Sequence, residues 1–350
     1  LFLTKKNHYL VAFFQSCLTN ISVFFWNISC FRYATIILYK SIMLNSFQKT
    51  ILKQVEFRGI GLHDGLESII KILPAVENHG IVFKRTDLKQ NNIIKANFEN
   101  VSSAKLCTTI QNNFSVSVST VEHLLAALYI TGVDNALIEI SSTEVPIMDG
   151  SSKEFVETIL EIGVKEQNFK RKYLKILKKF ELKENEKFIS IEPNEKSLNV
   201  DFQLVYSNDV IGKQRNKINF SEKNLHNVYT SRTFCLFEDV EKIKKIGLAK
   251  GGSLDNAIVV KDNEILNSKG LRNSKEFVNH KILDLAGDFI LSGYRILGSV
   301  TCVQGGHSLS NLFLRTLLKD KSNYSIVELE VSKTIKSYFK TPTNKIAVNA

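Results

Sequence analysis

Phe277-Val-Asn-His-Lys-Ile-Leu-Asp-Leu-Ala-Gly-Asp288 carries polar side chains at His280, Asp284 and Asp288, four residues apart. On a helix a step of four residues advances about 400°, so the three groups form one slowly drifting stripe. Ile282, Leu283, Leu285 and Ala286, with Phe289 and Ile290 just beyond, are apolar enough to draw such a helix into a core. Buried ionisable groups then need partners. A histidine and an aspartate at i, i+4 can reach one cation. They can equally form a simple pair within a polar seam, which is the plainer reading of this segment alone.

Outward from this helix, the second half of the chain alternates strands and helices. Residues 173–176, 188–191 and 198–205 read as strands, as do 257–260 and 296–303. Thr230-Ser-Arg-Thr-Phe234 precedes an acidic helix, and Lys250-Gly-Gly-Ser-Leu-Asp255 leads into the strand at 257–260. The glycine pair suits a tight turn, or backbone amides brought close to a phosphate. Gln304-Gly-Gly-His307 follows the last of these strands, so His307 belongs either to an exposed turn or to a site loop.

The first half has the same rhythm. Strands are predicted over 50–57, 66–73, 81–85, 94–98 and 136–140, with a strand pair at 106–110 and 114–118 and a helix over 153–162. Gly59-Ile-Gly-Leu-His-Asp-Gly65 is a glycine-punctuated turn in which His63 serves as a turn residue or as part of a site. Ser119-Thr-Val-Glu-His-Leu-Leu-Ala-Ala-Leu128 starts a helix, and the Ser119/Glu122 spacing fits a capping box. That is a complete structural role for Glu122. His123 falls near the positive end of the helix dipole, which disfavours imidazolium and leaves a neutral ring suited to a metal. The charged stretch 165–172 is the expected domain boundary, between a first domain at 43–165 and a second at 172–338.

The chain has 350 residues and a formal charge of +11, which suits an anionic partner such as nucleic acid, a membrane surface or a phosphorylated small molecule. Cys17, Cys30, Cys107, Cys235 and Cys302 show no metal-type spacing, so neither a zinc ribbon nor a disulfide framework is indicated, and a reducing cytoplasm is expected. The basic residues are dispersed and not interleaved with aromatic ones, which argues against a nucleic-acid-binding module. Residues 1–42 are rich in Phe, Ile and Tyr and hold no acidic residue. Polar residues interrupt their apolar run, so stable membrane insertion is not expected, and they read as upstream translation outside the fold. Residues 339–350 read as a polar tail.

The motifs gain meaning as an ordered set. Thr-Val-Glu-His-Leu at 120–124, Ser-Arg-Thr-Phe at 231–234, Gly-Gly-Ser-Leu-Asp at 251–255, Phe-Val-Asn-His-Lys-Ile-Leu-Asp at 277–284 and Gly-His-Ser-Leu at 306–309 occur in this order. Together they resemble UDP-3-O-acyl-N-acetylglucosamine deacetylases, the zinc amidases of lipid A biosynthesis. Gly59–Gly65, Arg85-Thr-Asp-Leu88, Leu106-Cys-Thr108 and Pro146-Ile-Met-Asp-Gly-Ser151 add to the match.

The resemblance implies an α+β fold of two similar domains, each a sheet packed with helices, with the active site at their interface. It implies zinc held by His123, His280 and Asp284, with a fourth position left for water. Glu122 is then the general base, Thr233 an oxyanion donor, and His307, protonated beside Asp288, the acid for the leaving amine. Lys281 is assigned to the diphosphate, Phe234 to the sugar and Tyr206 to the uracil of a UDP-activated acylated amino sugar. Ala249 and Gln304 stand where some members carry cysteine and lysine. A zinc hydrolase acting on a different amide is the alternative.

Overall fold

The computed structural model describes residues 46–222 and 225–329; the expectations for 1–42 and 339–350 lie outside them. The described residues contain six helices: α1 Glu122–Thr131, α2 Lys153–Ile162, α3 His226–Tyr229, α4 Phe237–Lys245, α5 Glu276–Phe289 and α6 His307–Lys319. With the sheets below, they make the α+β fold expected from the sequence.

A five-stranded sheet is ordered Val55–Ile60, Glu67–Pro74, Ala136–Ile140, Ile81–Arg85, Ile93–Lys95. Its only parallel pair is Ile81–Arg85 with Ala136–Ile140; the chain between these strands includes α1. The larger, seven-stranded sheet draws all its strands from after residue 171, and Arg295–Val303 is its hub. This nine-residue strand pairs with Lys172–Ile176, Lys187–Pro193 and Leu198–Val205. Leu198–Val205 alternates buried and partly buried residues along its whole length, as a strand with one core face must. Both sheets lie within the compact unit Gln48–Leu329.

Two helices are buried almost all round. In α1 the run Glu122–Tyr129 is buried, and in α5 every residue but Lys281 is buried. A helix that meets protein on all sides has no solvent face, so the polar residues on it are held in the interior. Helix α1 stops at Gly132, whose φ of +84° supplies the left-handed C-terminal turn, its N–H donating to the carbonyls of Leu128 and Tyr129. Helix α5 tapers into a 3-10 turn at Ile290–Ser292 and reverses at Gly293 into the hub strand, which in turn delivers the chain to α6.

Several boundaries differ from the sequence reading. The strand expected over 50–57 is two strands, Phe47–Ile51 and Val55–Ile60, because the exposed residues Leu52, Lys53 and Gln54 bend between them. The run at 94–98 is a short strand, Ile93–Lys95, followed by a 3-10 turn in which the Asn97 side chain accepts from the Asn100 amide. Most of the charged stretch 165–172, expected as the domain boundary, forms a strand, Val164–Lys170.

Candidate active site

Three helices bring the site together. Glu122 and His123 open α1, His280, Asp284 and Asp288 lie along α5, and His307 opens α6. His123, His280 and Asp284 offer ligand atoms within 4.8 Å of one another, and all three side chains are buried. The two imidazole Nε2 atoms stand 3.6 Å (His123) and 3.3 Å (His280) from Asp284 Oδ1. Two members of the polar stripe read from the sequence, His280 and Asp284, therefore converge with His123, and the simple polar seam is set aside.

The donor chemistry fits a metal ion. His280 Nδ1 lies 3.1 Å from the Ser231 carbonyl, which places the ring proton there and leaves the Nε2 lone pair facing Asp284. Burial, partly opposed by Asp284, pulls the His280 pKa down to about 3, so the ring is neutral. Burial disfavours the Asp284 carboxylate, but His280 and Lys281 outweigh it and hold the acid ionised well below the usual range. Its Oδ1 is buried and accepts no hydrogen bond, while Oδ2 accepts from Lys281 Nζ at 2.9 Å. The neutral His280 ring, a second buried imidazole from His123 and an orphaned anionic oxygen are what a divalent cation satisfies.

Beside this group Glu122 and His307 face each other, with Oε1 and Nε2 3.6 Å apart. His307 Nδ1 bonds Asp288 Oδ2 at 2.9 Å, and Asp288 Oδ1 accepts from the Thr108 hydroxyl at 2.6 Å. The Thr108 amide donates to Glu122 Oε2 at 3.0 Å, so one residue anchors both carboxylates. Burial raises the Glu122 pKa against the opposing pull of His307 and His123. For His307 burial works the other way, yet Asp288 and Glu122 prevail and lift its pKa to about 10. The pair thus has a carboxylate poised to take a proton and an imidazolium able to give one.

Glu122, His123, His280, Asp284 and His307 line a cavity of about 40 Å³, together with Thr233, Lys281 and His63. Phe234 and Tyr206 stand next to it, their rings 5.8 Å apart, and the Lys281 ammonium lies 5.6 Å over the Phe234 ring.

A family model described as UDP-3-O-acyl N-acetylglycosamine deacetylase matches residues 48–319. The chain belongs to this deacetylase family. Among similar proteins are the UDP-3-O-acyl-N-acetylglucosamine deacetylases of Campylobacter jejuni subsp. doylei, 42% identical over 84% of this chain and 98% of the relative, and Actinobacillus pleuropneumoniae serotype 3, 40% identical over 81% and 94%. That of Shewanella violacea is 37% identical over 86% of this chain and 99% of its own length. The resemblance stated from the motifs holds along the described fold, and the chain is accordingly a hydrolase of the deacetylase class.

Within this deacetylase fold the capping box is absent. Helix α1 begins at Glu122 with no side-chain cap, and the Ser119 hydroxyl instead accepts from Thr109. Thr120 sits at φ +56°, so the chain is still turning where a capping serine would need to lead directly into the helix. The glycine pair at 251–252 is spent on packing: the Gly251 amide donates to the Leu62 carbonyl, and a Cβ there would strike the Gly61 carbonyl oxygen. Its phosphate reading is set aside.

The sequence reading left His63 open between a turn and a site and gave no role to Thr108 or Glu144. His63 is buried against the cavity, and neither ring nitrogen has a hydrogen-bond partner among the described residues. Thr108 and Glu144 anchor other site groups. The glycines around His63 were the available signal, because they mark close backbone approach.

Proposed function

We propose that this protein hydrolyses the acetamide of UDP-3-O-(3-hydroxyacyl)-N-acetylglucosamine in a zinc-dependent reaction, releasing acetate and the free amine, as an early step of lipid A biosynthesis. The observation that carries this reading is the convergence of His123, His280 and Asp284 beside the Glu122–His307 pair in one cavity, in a chain of the deacetylase family. Zinc held by the two histidines and the aspartate would supply Lewis acidity, polarising the amide carbonyl and acidifying water.

The remaining steps fall to the chain's own side chains. Glu122 takes the proton of the attacking water, and its buried position with a raised pKa suits it to hold that proton briefly. Thr233, on the cavity wall, offers its hydroxyl to the developing oxyanion. His307 stays protonated through its bond to Asp288 and delivers a proton to the departing amine. Lys281 carries the positive charge assigned to the diphosphate, although its ammonium is also bonded to Asp284. Phe234 and Tyr206 offer aromatic faces to the sugar and the uracil. No helix among the described residues is long and apolar enough to cross a membrane. Cys107, Cys235 and Cys302 are free thiols, in keeping with the cytoplasm as the site of action.

The test is metal analysis of the purified protein together with acetate release from the UDP-sugar and from simple acetamides. Near-stoichiometric zinc and strong preference for the UDP-sugar are expected. Equal turnover of simple acetamides would favour a hydrolase of a different amide.

A further inference from the structure

Glu144 lies in the loop between the strand Ala136–Ile140 and α2, buried, with its carboxylate applied to two separate segments. The His63 amide points at both of its oxygens, 3.0 Å from each, and the Asp64 amide donates to Oε2 at 2.9 Å. Oε1 also accepts from the Thr120 hydroxyl at 2.6 Å. The first segment carries His63, and the second lies two residues before Glu122. Among the described residues no cation forms an ion pair with Glu144, so its charge is met by amides and a hydroxyl. Charge-assisted bonds of this kind are strong and directional.

The surroundings press the turn onto this carboxylate. A Cβ at Gly61 would collide with Asp64 Oδ1 and lie 2.5 Å from Glu144 Oε2, so a side chain there would have to displace these carboxylates from their present places. Thr120 is a β-branched residue at φ +56°, a conformation that persists where the surrounding contacts impose it. The product of this clamp is the placement of His63, whose two ring nitrogens are buried and unpartnered against the cavity that holds the metal-ligand group. An unpaired buried imidazole is costly unless something fills its hydrogen bonds.

We propose that Glu144 is a positioning residue of the deacetylation reaction, holding His63 so that its ring hydrogen-bonds the polar sugar of the bound substrate. This rests on the deacetylase reading above. Glutamine has the shape of glutamate but no charge and one acceptor oxygen, so in Glu144→Gln the bonds to the His63 and Asp64 amides lose their charge assistance and the nitrogen can meet only the Thr120 hydroxyl, turned to accept.

The test is a double-mutant cycle of Glu144→Gln and His63→Ala, reading kcat/KM on the UDP-sugar, zinc content and amide hydrogen exchange. Each single variant should lose roughly three- to tenfold in kcat/KM, the scale of a lost hydrogen bond to a neutral polar group. The double variant should fall no further than His63→Ala alone, because the two act through one contact. Glu144→Gln should keep its zinc and exchange the His63 and Asp64 amides faster. Multiplicative losses in the double variant, an unchanged kcat/KM in Glu144→Gln, or loss of its zinc would overturn the role. Should Glu144→Gln fail to fold, Glu144→Asp takes its place, since the shorter acid cannot reach both segments. An inactive parent would overturn the deacetylase reading itself, and the positioning role with it; an active parent with an uncoupled cycle removes the positioning role alone.

Discussion

Gly287 of α5 packs directly on the backbone of Glu122 at the start of α1, so closely that a Cβ there would collide with the Glu122 carbonyl. This contact sets the spacing between the helix that carries His123 and the helix that carries His280 and Asp284. Alanine at 287 would gain about 1 kcal/mol of helix propensity, but overpacking against an immobile backbone costs roughly 1–3 kcal/mol. Gly287→Ala is therefore expected to melt at or below the parent and to bind zinc more weakly, as read by thermal unfolding and metal titration. A stabilised variant with parental zinc affinity would show that the helices have room to spare.

The three residues proposed to hold zinc should behave as a unit. His280→Ala and Asp284→Ala each remove one of three donors, and both should lose zinc and acetate release together. Asp284→Ala also strands Lys281, whose ammonium is raised in pKa by that carboxylate against the effect of burial. Metal analysis by mass spectrometry checks both variants. Full zinc occupancy in either would take that residue out of the coordination shell.

Much of this site could be read before the fold was known. The stripe of His280, Asp284 and Asp288 follows from helical periodicity, and the place of His123 in the first turn of a helix from the change of period after Ser119. What sequence spacing could not convey was the company each residue keeps. Thr108 meets Asp288 across 180 positions, and His63 meets Glu144 across 81. Local rules also misled where tertiary contacts override them. Ser119 and Glu122 have capping-box spacing, yet the left-handed Thr120 keeps the serine off the helix axis and frees Glu122 to enter the cavity. His307 follows two glycines and reads as an exposed turn, but Asp288 draws it into the interior.

The pH dependence tests the pairing of His307 with Asp288. An acid catalyst must be protonated, and with a pKa of about 10 His307 stays so across neutral pH and loses its proton only as the pH rises through that value. Burial alone would push the pKa down, and Asp288 is the largest influence opposing it. Asp288→Asn should therefore move the basic limb of the kcat/KM profile to lower pH by roughly 1–3 units. An unmoved basic limb would mean that some other group governs it.

Glu122 offers the sharpest separation of structure from chemistry. No cap depends on it, and its one backbone contact, the Thr108 amide, can be accepted equally by the oxygen of a glutamine. Its carboxylate is also disfavoured by burial, so a neutral amide at 122 removes a desolvated charge at little structural cost. The proton of the attacking water is another matter, because an amide cannot take it. Glu122→Gln should melt at or slightly above the parent and retain zinc, while acetate release falls by roughly 10²-fold or more. The same change removes one of the carboxylates that raise His307, so the residual activity should show its basic limb at lower pH than the parent. A Glu122→Gln enzyme running near the parental rate would leave the proton transfer to another group, with His307, 3.6 Å away, the first to be examined.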